Sequence, residues 1–121
     1  MLDPSFFIYV IILMFFEISA QVLFKKSYSL DKNKSLILIV GILLYSISGY
    51  FAYKLLGYGS MGMVNIVWHM FHFILLFIVG HFVFGEKYTN KQLFACILGM
   101  TSIYLFMLEG MWYVMKTQTL R

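Results

Sequence analysis

Four apolar runs alternate with short polar breaks along this chain. A helix needs about 20 such residues to cross a hydrocarbon core. The pattern therefore predicts four membrane-spanning helices, over residues 5–24, 35–56, 63–84 and 91–113. The polar punctuation supports those limits. Pro4 suits a first helical position, and Asp3 can cap the first helix. Lys25 and Lys26 stop the first run at a headgroup layer, and Lys54 can snorkel from the end of the second. Thr89-Asn90-Lys91-Gln92 has capping-box spacing and predicts the start of the fourth helix. That helix continues to about Met115, and Trp112 and Tyr113 fit an interfacial belt.

Composition agrees with this pattern. The 121 residues are 62% hydrophobic and 12% charged, against about 25% charged in a soluble domain. A water-soluble globule is excluded, and the expected fold is an all-α integral membrane domain spanning residues 1–121. The net charge of +4 is read through its placement in the loops, since no basic nucleic-acid motif is present. Lys25, Lys26, Lys32, Lys34, Lys87 and Lys91 share one side of a four-span topology. Lys54, Lys116 and Arg121 share the other. That bias of six to three puts loops 1 and 3 in the cytoplasm of a cell in whose inner or plasma membrane the chain sits. The N-terminus lacks a basic region and a small-x-small cleavage site, so the first span is expected to stay in the mature protein.

One residue breaks the first apolar run. From Ser5 to Phe24, Glu17 is the only side chain that carries a charge at neutral pH in water. Such an acid costs about 2.5–3.5 kcal/mol on insertion scales, which makes it a candidate functional group. Gln21 lies one turn away on the same face and can hydrogen-bond it. In the second span Gly41, Tyr45, Ser48, Gly49 and Ala52 form a mildly polar stripe of largely small residues, suited to close helix approach. Tyr45 and Ser48 can line a path or bond between helices. In the third span Asn65, Trp68, His69 and His72 fall on one side of a helix. Two histidines are too few for a zinc site, so no metal is expected. Gly57-Tyr58-Gly59-Ser60-Met61-Gly62 formally matches a dinucleotide motif but joins two spans, where it reads as a tight turn. No cofactor is expected. No nucleophile–base pair or carboxylate cluster accompanies Glu17, so an enzyme is not expected either. In the fourth span Ala95, Gly99 and Ser102 form a small-residue seam.

Together these residues resemble the small multidrug resistance (SMR) family, the shortest members of the drug/metabolite transporter superfamily, also described as EamA-like. The similarity runs over nearly the whole length. Glu17, followed eight residues later by Lys25, matches a helix-one glutamate that binds proton and cationic substrate in turn. Tyr45 in Tyr45-Ser46-Ile47-Ser48 and Trp68 in Val64-Asn65-Ile66-Val67-Trp68 match aromatic residues of that site. Gly62 matches a glycine opening helix three. Ala95 and Ser102 fall at glycines of a helix-four dimer seam. Phe84-Gly85-Glu86-Lys87 is similar to the superfamily's passage between helices three and four. The chain departs from the family at Asn65, where a tyrosine is usual, and at His69-Met70-Phe71-His72, where a glycine-bearing kink is usual. Gln21-Val22-Leu23-Phe24-Lys25 also resembles short subunits proposed to flip undecaprenyl-linked aminoarabinose.

The resemblance implies a dimer of eight spans and transport through Glu17. The partner is either a second copy or a related chain of different orientation. The leading expectation is proton-coupled antiport of lipophilic cations. Desolvation penalises a charged carboxylate, so Glu17 can hold a proton or neutralise a cation, but not both. Trp68 and Tyr45 supply aromatic faces for that cation. A flippase for a lipid-linked substrate is the alternative, with Lys25 and Lys26 meeting a phosphate. A third reading is an assembly subunit whose Glu17 pairs with another membrane chain.

Overall fold

The computed structural model describes residues 4–119, with side chains as far as Gly110. All of Asp3 and Arg121, and the side chains of Trp112, Tyr113 and Lys116, lie outside the described residues. Four helices make up the described chain: α1 (Pro4–Ser27), α2 (Lys34–Leu56), α3 (Met61–Phe84) and α4 (Asn90–Thr119). All four are long and apolar enough to cross a membrane, α4 through its segment Asn90–Gly110. The chain is thus a multi-pass membrane protein by helix length and composition.

The helices fall into two compact units, a first hairpin of α1 and α2 and a second of α3 and α4. Each hairpin is described by itself. α1 and α2 pack closely along their length, while α3 and α4 touch over a shorter stretch. The core of α1 is one stripe at helical spacing: Phe6, Val10, Leu13, Glu17 and Ala20 are all buried. Rings from both helices fill the hairpin. Phe16 stacks on Phe51 at 6.1 Å, and Phe6 meets Tyr58 edge-on at 5.8 Å.

Local chemistry sets the helix ends. Pro4 opens α1, where its missing amide hydrogen would have no intrahelical partner. α1 runs three residues past the expected end at 24, because Lys25 and Lys26 sit in the last turn, where cations suit the helix dipole. Asn33 precedes α2 in the left-handed region at φ 61°, a conformation asparagine tolerates better than most residues. α3 starts two residues before the expected 63, because the Ser60 hydroxyl accepts from the Met63 amide at 3.4 Å. The Gly57–Gly62 segment is a turn into α3, as expected, but no glycine in it has a positive φ.

The α3–α4 turn is the most tightly fastened segment. Gly85 takes φ 65°, which costs glycine nothing. Its amide reaches the His81 carbonyl at 3.1 Å, and the Glu86 amide reaches the Gly80 carbonyl at 3.0 Å. This is a left-handed C-cap that satisfies two terminal carbonyls. His81 Nδ1–H donates to the Glu86 carbonyl at 3.0 Å, and the Tyr88 hydroxyl donates to the Glu86 carboxylate at 2.8 Å. That bond, more than burial, raises the Tyr88 phenol above its ordinary value of 10.0. Gly80 lies beneath the turn. A Cβ there would sit 2.6 Å from Glu86 Oε2 and would also strike the Tyr88 hydroxyl.

α4 begins with the expected capping box. The Thr89 amide donates to Gln92 Oε1 at 2.9 Å, and the Gln92 amide donates to Thr89 Oγ1 at 3.2 Å. Thr89→Ala removes one half of this pair and should cost about 1 kcal/mol. The change is expected as faster amide hydrogen exchange at Gln92, with α3 unaffected; unchanged exchange would mean that the box does not hold the helix end.

Candidate functional site

The burial stripe of α1 carries its one acid to the middle of the first hairpin. Glu17 is only 7% exposed. Tyr45 on α2 lies close enough to the Glu17 carboxyl for the two groups to interact. The ring of Tyr45 itself is 46% exposed, so this side chain joins the buried acid to the open face of the hairpin. Phe24 flanks Tyr45 at a centroid distance of 6.3 Å. The fit depends on Gly41, one turn before Tyr45. A Cβ at Gly41 would lie 2.6 Å from Phe24 Cε1 and 3.5 Å from the Ala20 carbonyl. Gly41, Phe24 and Tyr45 therefore form one packed unit beside Glu17. Gln21 is half-buried one turn further along α1.

Not every member of the α2 stripe contributes. Ser48 is buried, and its hydroxyl donates to the Tyr45 carbonyl at 2.6 Å. Its hydrogen is engaged by its own helix, as serine often does in apolar segments. Gly49 is exposed, and a Cβ there would meet nothing within 4 Å. The stripe suited to close approach narrows to Gly41, Ser48 and the half-buried Ala52.

The polar residues of α3 belong to the second hairpin. Asn65 Nδ2 donates to the Met61 carbonyl at 2.7 Å, and His69 Nδ1–H donates to the Asn65 carbonyl at 2.6 Å. Each takes its partner from the preceding turn of its own helix. Trp68 lies 4.9 Å from the His69 ring, and His69 lies 6.4 Å from His72. The four do not share one environment. His72 is buried at 8% exposure, Asn65 and Trp68 are half-buried, and His69 is exposed. Among the described residues no group of three or more His, Cys, Asp or Glu side chains could hold a metal ion.

Lys25 and Lys26 are exposed at the end of α1, beside a turn that also carries Lys32 and Lys34. Lys34 Nζ lies 5.5 Å from the Tyr28 ring. The expected seam residues Ala95, Gly99 and Ser102 are all exposed; Ala95 and Gly99 also line a groove facing α3, and Ser102 donates to the Leu98 carbonyl at 3.0 Å. Sequence reasoning passed over Phe24, although it falls seven residues after Glu17 on the same face of α1. It also passed over Gly110, whose missing Cβ leaves room for the Met63 thioether. No protein-family model, curated protein or solved structure matches the chain.

Proposed function

We propose that the chain is a transporter of small lipophilic cations, exchanging them for protons at Glu17. One observation carries this reading: a carboxyl buried in a membrane-spanning hairpin with a tyrosine of the neighbouring helix beside it. An intramembrane acid is costly enough to imply a function. A tyrosine hydroxyl supports the carboxylate when the proton leaves, and its ring offers a face to a cation. The resemblance to the SMR family points the same way, with a homodimer or a dimer of related chains as the working unit.

The test is proton release. Full-length protein in weakly buffered detergent is mixed with a panel of quaternary ammonium and guanidinium compounds. A fall in pH that saturates with cation concentration is expected. Silence towards every cation would remove proton exchange from the reading.

The basic end of the same hairpin favours a second reading, a flippase or flippase subunit for a lipid-linked substrate. Exposed Lys25 and Lys26 would then hold the substrate phosphate at headgroup level. In that case Lys25→Ala with Lys26→Ala should weaken binding of a polyprenyl phosphate at least about tenfold, on the order of 1 kcal/mol per lysine. Cation-driven proton release should survive the double substitution if the antiport reading is right.

A further inference from the structure

The second hairpin contains an apolar groove whose α4 wall includes Ala95 and Gly99 of the expected seam. It has a volume of about 330 Å³. Phe73 and Phe77 line it from α3, and Ala95, Cys96, Gly99 and Ile103 line it from α4. These side chains present carbon and sulfur only. The two helices close together at either end of it. Phe77 packs on Tyr88 at 4.6 Å near the α3–α4 turn, and Met63 fits against Gly110 at the far end. Between those contacts small residues on α4 leave the space open. A Cβ at Gly99 would meet nothing within 4 Å.

Charge lies at one end of this space. Lys91 precedes Ala95, Gly99 and Ile103 by four, eight and twelve residues. It therefore stands one turn before Ala95, next to the start of the groove's α4 wall. Lys91 is exposed, in a first turn that contains no acid. A cation there opposes the helix dipole, so α4 gains nothing from it. Lys87, also exposed, lies four residues earlier in the connection between α3 and α4. The nearby acid, Glu86, has its carboxylate hydrogen-bonded to Tyr88. From Lys91 to Ile103 the helix rises about 18 Å, close to the half-thickness of a hydrocarbon core, about 15 Å.

We propose that the α3–α4 groove holds one acyl chain of an anionic glycerophospholipid, with its phosphate on Lys91 and Lys87. The apolar walls take the chain, the open side at Gly99 admits it, and the lysines select the headgroup. The proposal makes no use of Glu17 and stands whatever the chain transports.

Two experiments on the full chain test this. In the first, protein from nanodiscs holding equal phosphatidylglycerol and phosphatidylcholine is examined by native mass spectrometry. The wild type should retain phosphatidylglycerol at least about fivefold over phosphatidylcholine, the effect of one lysine near a charged headgroup. Lys87→Ala with Lys91→Ala should abolish the preference but keep bound lipid. Gly99→Leu should displace both lipids. Equal retention of the two lipids by the wild type, or retention unaltered by Gly99→Leu, would overturn the proposal. So would loss of a dimer without loss of lipid in Gly99→Leu, which would give the groove to a second copy. The second experiment needs no variant. Phosphatidylglycerol with a diazirine in its acyl chain should mark the segments 73–77 and 95–103, and unlabelled phosphatidylglycerol should compete better than phosphatidylcholine. Marking spread evenly over the exposed face of α2, at Leu36, Ile39 and Leu43, would refute a dedicated groove.

Discussion

Glu17→Gln is expected to abolish cation-driven proton release and to leave the protein folded and inserted. Glutamine keeps the size and hydrogen-bonding capacity of the side chain but cannot exchange a proton. It also removes the charge that would balance a bound cation. Two opposite charges 4 Å apart attract by about 4 kcal/mol at an effective dielectric of about 20. Loss of that attraction corresponds to roughly a thousandfold in affinity. The Tyr45 hydroxyl retains an acceptor in the glutamine oxygen, so the hairpin should hold. The measurement is proton release in parallel with thermal unfolding of the same sample. An unfolding midpoint equal to the wild type, with no proton signal, is the expected result. A wild-type proton signal in Glu17→Gln would move the exchange site elsewhere, with His72 the next buried ionisable group to examine.

Gly41→Val should destabilise the first hairpin by about 1–3 kcal/mol, the usual cost of forcing extra carbon into a packed site. The new Cβ would lie 2.6 Å and 2.9 Å from two atoms of the Phe24 ring. The ring must turn away, and the pair it forms with Tyr45 turns with it. Cation affinity should therefore fall along with stability. Gly49→Val is the matched control. Its Cβ meets nothing within 4 Å, so the change should stay within about 0.5 kcal/mol and leave binding intact. Unfolding midpoints in detergent, with cation titrations of both variants, separate the two. Equal behaviour of the pair would mean that the Gly41–Phe24 contact does not organise the site.

The contrast between these glycines shows how far the sequence could be read. Apolar run length was sufficient for four spans, because the bilayer imposes one length on every crossing helix. Capping chemistry was equally local: Thr89 and Gln92 bond as their spacing requires. Glu17 stood out because an acid is rare in such a run, and Tyr45 was legible beside it as the polar ring of the facing span. What the sequence could not supply was azimuth. Gly41 and Gly49 both sit on a stripe of small residues, but eight residues of helix turn through about 800°, and the second glycine rotates off the packed line. The same limit explains the α3 residues. Spacing of three and four placed Asn65, Trp68, His69 and His72 on one broad side, yet that side includes both a buried and an exposed position. Serine roles were hidden for another reason. Whether Ser48 faces a path or bonds its own helix depends on one rotamer.

The pairing of Glu17 with Tyr45 also bears on how the chain enters the membrane as it is made. A helix leaving the ribosome with an acid at its centre is a poor candidate for lateral release into lipid. Here Tyr45 follows 28 residues later, counting from 17 to 45, within the next helix to emerge. The first hairpin can be released as a pair, with Tyr45 already beside the acid, before α3 follows it into the membrane.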